Sequence, residues 1–200
     1  RGAEYAGPGP TTCVARADPR SPGSGQLDGA CGTFAGAIVM RPVDKSDGEV
    51  VIEKRGRHHD DVGRIEVKAE QHGNRVEIHV SEPRRDHVGF HINSRSAKLI
   101  VSVPASADVV AKSGDGSIDI EGITGHVQLR SGDGSIRGRM LAGDIEANTG
   151  DGSIKLDGKL TSVRVHTGDG SVVIHADPGS SSGADWDIVT GDGSVTLEMP

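Results

Sequence analysis

The same six residues recur five times in the second half of the chain: Ser113-Gly-Asp-Gly-Ser-Ile118, and again, with conservative changes, from Ser131, Thr149, Thr167 and Thr190. Successive copies start 18, 18, 18 and then 23 residues apart. A short fixed period marks a stacked architecture in which each unit buries its apolar face only against its neighbours.

The rest of each unit repeats in pattern rather than identity. With the Ser or Thr as position 1, position 6 is Ile118, Ile136, Ile154, Val172 and Val195, and position 8 is Ile120, Gly138, Leu156, Ile174 and Leu197. Position 15 is Val127, Ile145, Val163 and, after a five-residue insertion, Trp186; position 17 is Leu129, Ala147, Val165 and Ile188. Alternation of two is strand periodicity, so each unit holds one strand near positions 5 to 9 and another near 14 to 18.

Outward positions give an independent check. Position 9 reads Glu121, Arg139, Asp157, His175, Glu198, and position 16 reads Gln128, Glu146, Arg164, Asp187. Units stacked in register about 4.8 Å apart bring mostly unlike charges together, which stabilises neighbouring strands. A run of Asp-Gly hairpins is the competing arrangement, but it requires no charge match at a distance of one unit. No apolar residue recurs every six, which sets aside a hexapeptide helix. The expected fold is all-β: a single-chain β-solenoid with coils of about 18 residues, preceded by a β-hairpin region and an extended N-terminal arm.

Three segments are expected. Residues 1–32 are rich in Pro and Gly and read as an arm. Residues 33–104 hold strands at Phe34 to Met40, Glu49 to Lys54 and Lys98 to Val103, plus a hairpin in which Ile65, Val67, Ala69 and Val76, Ile78, Val80 flank His72-Gly73-Asn74. Residues 105–200 form the solenoid. No segment has a helical period.

Composition fits a thin β-stack: hydrophobic content is 34%, with 30 glycines and 2% aromatics. A net charge of −7 with no basic block argues against a nucleic-acid partner. No apolar run approaches the ~20 residues of a membrane-spanning helix. The chain starts at Arg1 rather than Met, and a processed, exported product is the expectation. Cys13 and Cys31 are the only cysteines; without further ligands at zinc-site spacing, a disulfide in an oxidising compartment is expected, worth about 3 kcal/mol in the chain-entropy model.

The string from Val101 to Ile136, VSVPASADVVAKSGDGSIDIEGITGHVQLRSGDGSI, resembles the bacterial putative-adhesin family of exported β-strand-repeat proteins, a domain of unknown function. The resemblance spans roughly residues 35 to 200 and is specific in the repeats. It implies a β-solenoid outside a bacterial cell, at the surface or in the periplasm, and no catalytic residue set.

Chemistry is sparse. Asp115, Asp133, Asp151, Asp169 and Asp192 would stack into a carboxylate ladder. Calcium is one reading, but the ion takes six to eight oxygens and each coil offers one acid in the turn. The preferred reading is an Asx-type turn, each Asp accepting the following amides beside glycines free to take φ > 0, with the Ser and Thr of position 1 forming a structural hydroxyl ladder. His58-His59-Asp60-Asp61 has metal-ligand chemistry, yet adjacent residues of an extended segment point to opposite sides, so a solvated loop is preferred. No metal or other cofactor is assigned. Tyr5, Phe34, Phe90 and Trp186 are the only aromatics, too few for sugar-binding platforms, and no nucleophile, zinc or nucleotide motif occurs. The expected function is a non-enzymatic surface protein, structural or adhesive, assembling head-to-tail through its solenoid ends and arm into homo-oligomers or filaments; the alternative is a calcium- or glycan-binding envelope module.

Overall fold

The computed structural model describes residues 11–15, 27–33, 36–43, 48–55, 65–72, 75–81, 96–181 and 186–200, with side chains from 36–43, 49–54, 65–71, 76–80, 97–181 and 186–200. Fifteen strands and no helix occur among them. They are β1 (Thr11–Ala15), β2 (Leu27–Thr33), β3 (Ile38–Val43), β4 (Gly48–Arg55), β5 (Glu66–His72), β6 (Arg75–Ser81), β7 (Ser96–Pro104) and β8 (Ala107–Ser113). β9 (Ile118–Glu121), β10 (Thr124–Ser131), β11 (Ile136–Thr149), β12 (Ile154–Thr167), β13 (Val172–Ala176), β14 (Trp186–Thr190) and β15 (Val195–Glu198) complete the chain.

All fifteen strands join one sheet that folds over on itself. One face stacks β1, β4, β7, β3, β9, the first halves of β11 and β12, β13 and β15; the other stacks β5, β6, β2, β8, β10, the second halves of β11 and β12, and β14. Each coil of the repeat runs up one face, through the six-residue turn, back along the other, and round a corner at positions 10 to 13.

The register settles the choice between solenoid and hairpins. Val127 lies beside Ile145, Ile136 beside Ile154, and Ile154 beside Val172, all on parallel neighbours one unit apart. After the insertion, Val172 pairs with Val195 and Val163 with Trp186. The β-solenoid expectation holds. The hairpin before it also holds: β5 and β6 are antiparallel, with His72 opposite Arg75.

Inward residues from both faces form one core. Ile118, Ile136, Ile154 and Val172 are fully buried, as are Val127, Leu129 and Val163. A third apolar column, Ile123, Leu141 and Leu160, fills the corner. Leu141 also occupies the space a side chain at Gly138 would take, which explains the one gap in position 8.

Chain order is not stack order. β2 and β3 make a coil wedged between β6–β7 and β8–β9, with Thr33 beside Ser113 and Ile38 beside Ile118. Thr33-Phe-Ala-Gly36-Ala-Ile38 is thus a degenerate copy of the repeated hexad. One expectation changes. Residues 1–32 are not simply an extended arm, because they contain β1 and most of β2, and β2 lies between β6 and β8. The strand expected at 98–103 is β7, which runs on in the chain to β8 and the first repeat, while in the stack β3 stands between β7 and β9. Strands from all three expected segments contribute to the one sheet.

Burial falls at β15, where Val195 and Leu197 are 46% and 44% exposed although they hold inward positions. Truncation should therefore cost unequally: Ile154→Ala is expected to lower unfolding free energy by about 2–5 kcal/mol, as for fully buried aliphatics, and Val195→Ala by about 1 kcal/mol or less. Denaturant melts of both variants measure the difference.

Candidate functional site: the repeat-turn edge

The turn edge is built from two backbone contacts and one hydroxyl. The amides of Gly132, Gly150, Gly168 and Gly191 donate to the position-2 carbonyl of the preceding coil, as from Gly150 to Gly132 and Gly168 to Gly150 at 2.5 and 2.6 Å. Ser131, Thr149, Thr167 and Thr190 each donate their hydroxyl to the position-4 carbonyl of the preceding coil, Gly116, Gly134, Gly152 and Gly170, all at 2.9 Å. Ser113 does the same to Gly36 at 3.1 Å, extending the ladder to the degenerate coil. Within the turn the hydroxyl also accepts: Gly116 donates to Ser113 at 3.0 Å, Gly134 to Ser131 at 3.1 Å and Gly193 to Thr190 at 3.2 Å.

The hydroxyl ladder matches expectation; the Asx-type turn does not. Position 1, not the aspartate, caps the turn. Asp115, Asp133, Asp151, Asp169 and Asp192 are exposed, and their carboxylates make no hydrogen bond or ion pair among the described residues. Nor do the glycines of the five Gly-Asp-Gly turns use positive φ. Gly36 of the degenerate turn does, at φ 143, and the others lie outside the turns, at Gly122, Gly125, Gly143, Gly158 and Gly179. A Cβ on Gly116, Gly134, Gly152, Gly170 or Gly193 would instead overlap the carbonyl of the coil before it. Glycine is required here by proximity.

The outward faces carry the charge ladders. Arg139 pairs with Glu121 at 3.4 Å, and His175 Nδ1 with Glu198 at 2.7 Å. Glu146 is a hub: Gln128 and Arg130 donate to it at 2.9 Å and Asn148 at 3.0 Å. Arg164 is its neighbour in register, but the carboxylate is taken by these three. The expected meeting of Arg139 with Asp157 is displaced by a bulge between Gly138 and Leu141, where the Met140 amide donates to Asp157 at 2.9 Å and Met140 itself sits at φ 50.

The hydrogen bond from Arg130, then that from Gln128, holds the Glu146 carboxyl below its ordinary value of 4.5. A depressed folded-state pKa contributes stability that is present above the ordinary glutamate range and lost as pH falls through the folded value. Glu146→Gln is accordingly expected to reduce the acid-side slope of melting temperature against pH below about 4.5, measured by thermal melts.

The remaining sequence candidates are the two cysteines and the His58–Asp61 segment. Cys13 lies in β1 opposite Val50, and Cys31 in β2 between Ile78 and Ala111; their side chains, and so the expected disulfide, lie outside the described residues. His58, His59, Asp60 and Asp61 also lie outside them. Among the described residues no three His, Cys, Asp or Glu side chains come together as a metal site, and no helix is long and apolar enough to cross a membrane.

The sequence model of the Toastrack DUF4097 family matches residues 36–199. The chain belongs to that family. The family is a domain of unknown function, in agreement with the resemblance read from the repeats. No match was found among curated proteins. Among solved structures, a putative cell adhesion protein from Clostridium sporogenes is similar at 10% identity with a TM-score of 0.54, over 96% of this chain and 100% of that one. A putative adhesin from Bacteroides fragilis is 12% identical with a TM-score of 0.37, over 93% of this chain and 95% of that one. The Clostridium likeness establishes that this Toastrack chain shares its fold.

Mutations should separate the glycine contact from the free aspartate. Gly152→Ala forces a backbone shift and is expected to cost about 3 kcal/mol, the upper end for overpacking. Thr149→Val leaves the Gly134 carbonyl without its hydroxyl donor, a loss of about 1–3 kcal/mol. Asp151→Asn should change stability by less than about 0.5 kcal/mol. Chemical denaturation of the three variants checks the order.

Proposed function

We propose that this Toastrack protein is a non-enzymatic, exported bacterial surface protein whose role is structural or adhesive. The observation that carries the reading is the turn ladder: every coil is locked to the one before it by amide and hydroxyl bonds, which makes a stiff rod presenting ordered outward side chains. The likeness to a structure described as a putative cell adhesion protein supports the same role. Antibody labelling of intact producing cells tests the location, and attachment of cells with and without the gene tests the role. Signal only after permeabilisation, together with unchanged attachment, would overturn the reading.

Head-to-tail stacking is part of the proposal. Among the described residues β14 and β15 each have a single strand neighbour, as do β1 and β5 at the opposite end. The half-exposed Val195 and Leu197 lie on this free edge, and open strand edges are templates for pairing. A heterologous contact of this kind grows unless it closes into a ring. Light scattering is expected to show mass rising with concentration, and Val195→Lys with Leu197→Lys to abolish the rise.

A second reading, calcium along the turn edge, is favoured by the five turn carboxylates, which have no partner among the described residues. A ligand that binds only the folded state stabilises it by RT ln(1 + [L]/Kd). A rise in melting temperature with calcium, reversed by chelator and not reproduced by magnesium, would establish it; the leading reading expects no shift.

A further inference from the structure

Every repeat turn contains an Asp-Gly step, a dipeptide prone to cyclise because glycine leaves the attacking nitrogen unhindered. The glycine nitrogen attacks the aspartate Cγ, an N–C bond forms, the carboxyl loses one oxygen as water, and the resulting succinimide hydrolyses to aspartate or isoaspartate. No oxidant or cofactor is needed. The isoaspartate product lengthens the backbone by one methylene.

All five aspartates are exposed, so their carboxyls are open to this reaction; protection must come from the nitrogen. In three turns that nitrogen is engaged, Gly116 on Ser113, Gly134 on Ser131 and Gly193 on Thr190. Ring closure requires it to lose its proton and turn its lone pair onto Cγ, and the hydrogen bond opposes both. The accepting hydroxyl is itself tied to the preceding coil, so the turn cannot rotate alone. At Gly152 and Gly170 the hydroxyls of Thr149 and Thr167 lie 2.9 Å from where a Cβ would stand, and both glycines are buried against the coil before them. Gly116 and Gly134 are buried as well, whereas Gly193 is only half-buried and its neighbours Gly191, Asp192 and Ser194 are exposed.

We propose that the position-1 hydroxyls guard the Asp-Gly steps of the stack against isomerisation, and that Asp192, in the outermost described turn, is the site where isoaspartate accumulates. The ladder then has a chemical duty besides its structural one: it keeps a glycine-rich turn chemically intact.

The 200-residue chain, incubated at neutral pH and 37 °C, is digested and isoaspartate is quantified at each turn by mass spectrometry, in buffer and in urea. Folded protein is expected to form isoaspartate at Asp192 on the order of tenfold faster than at Asp133, the spread that differences in local opening produce. In urea the five sites should react alike. Ser131→Ala should raise the rate at Asp133 without moving the rate at Asp169, and Ser131→Thr should keep the wild-type rate. Equal ageing of all five turns in the folded chain would overturn the proposal, as would a folded Ser131→Ala protein with an unchanged Asp133. Should Ser131→Ala fail to fold, the comparison of the five wild-type turns in buffer and urea still decides.

Discussion

The structure depends on how closely one coil's turn can approach the next. Strands in a stack lie about 4.8 Å apart, and in a solenoid the turns must keep that spacing as well. At position 4 the preceding carbonyl fills the place of a side chain, so glycine is imposed by the neighbour rather than by the local dihedrals. The position-1 hydroxyl then donates to the coil before it, and in three turns it also accepts from its own, satisfying backbone groups that the tight turn would otherwise leave unpaired. One glycine and one hydroxyl per coil fix both the spacing and the register.

With the turn edge fixed, variation in length is confined to the corner. The bulge opposite Asp157, the register shift between Gly143 and Asp144, and the five-residue insertion all fall between positions 9 and 14. The insertion stays attached to the stack: Asp177 donates to Gly158, Ser181 to Leu160, and the Leu160 amide to Ser180 Oγ. Bulges are a common way to absorb an extra residue without losing the ladder on either side. Met140, at φ 50, stands where the adjacent coils have Gly122 and Gly158, which shows that the corner accepts backbone strain that the turn edge does not have to bear.

These differences account for what was legible in the sequence. The coil period and the inward columns could be read because each unit repeats its neighbour. The corner column was hidden, since Leu160 sits one residue later in its unit than Ile123 and Leu141 do in theirs. The coil at 27–43 was hidden twice: Thr33 to Ile38 keeps only the Thr, the second Gly and the Ile of the hexad, and nothing in chain order reveals that it is wedged between later strands. The turn aspartates misled because Asp-Gly is a strong local turn signal, while the group that caps the turn acts partly on a residue in another coil.

Charge is distributed unevenly over the stack. Across its middle the outward faces carry two paired clusters, Glu121 with Arg139 and Glu146 with Gln128, Arg130 and Asn148. Such pairs are exposed and individually weak. From Ala176 to Pro200, by contrast, there are five acidic residues and no Lys or Arg. Two such ends meeting face to face would bring like charges together around Val195 and Leu197, a costly arrangement. The opposite end carries cations as well as acids, including Lys54 on β4 and Lys68 on β5. Within the assembly proposed above, this charge difference weighs against a symmetric tail-to-tail pair and toward the head-to-tail contact, the geometry that would propagate along the stack axis.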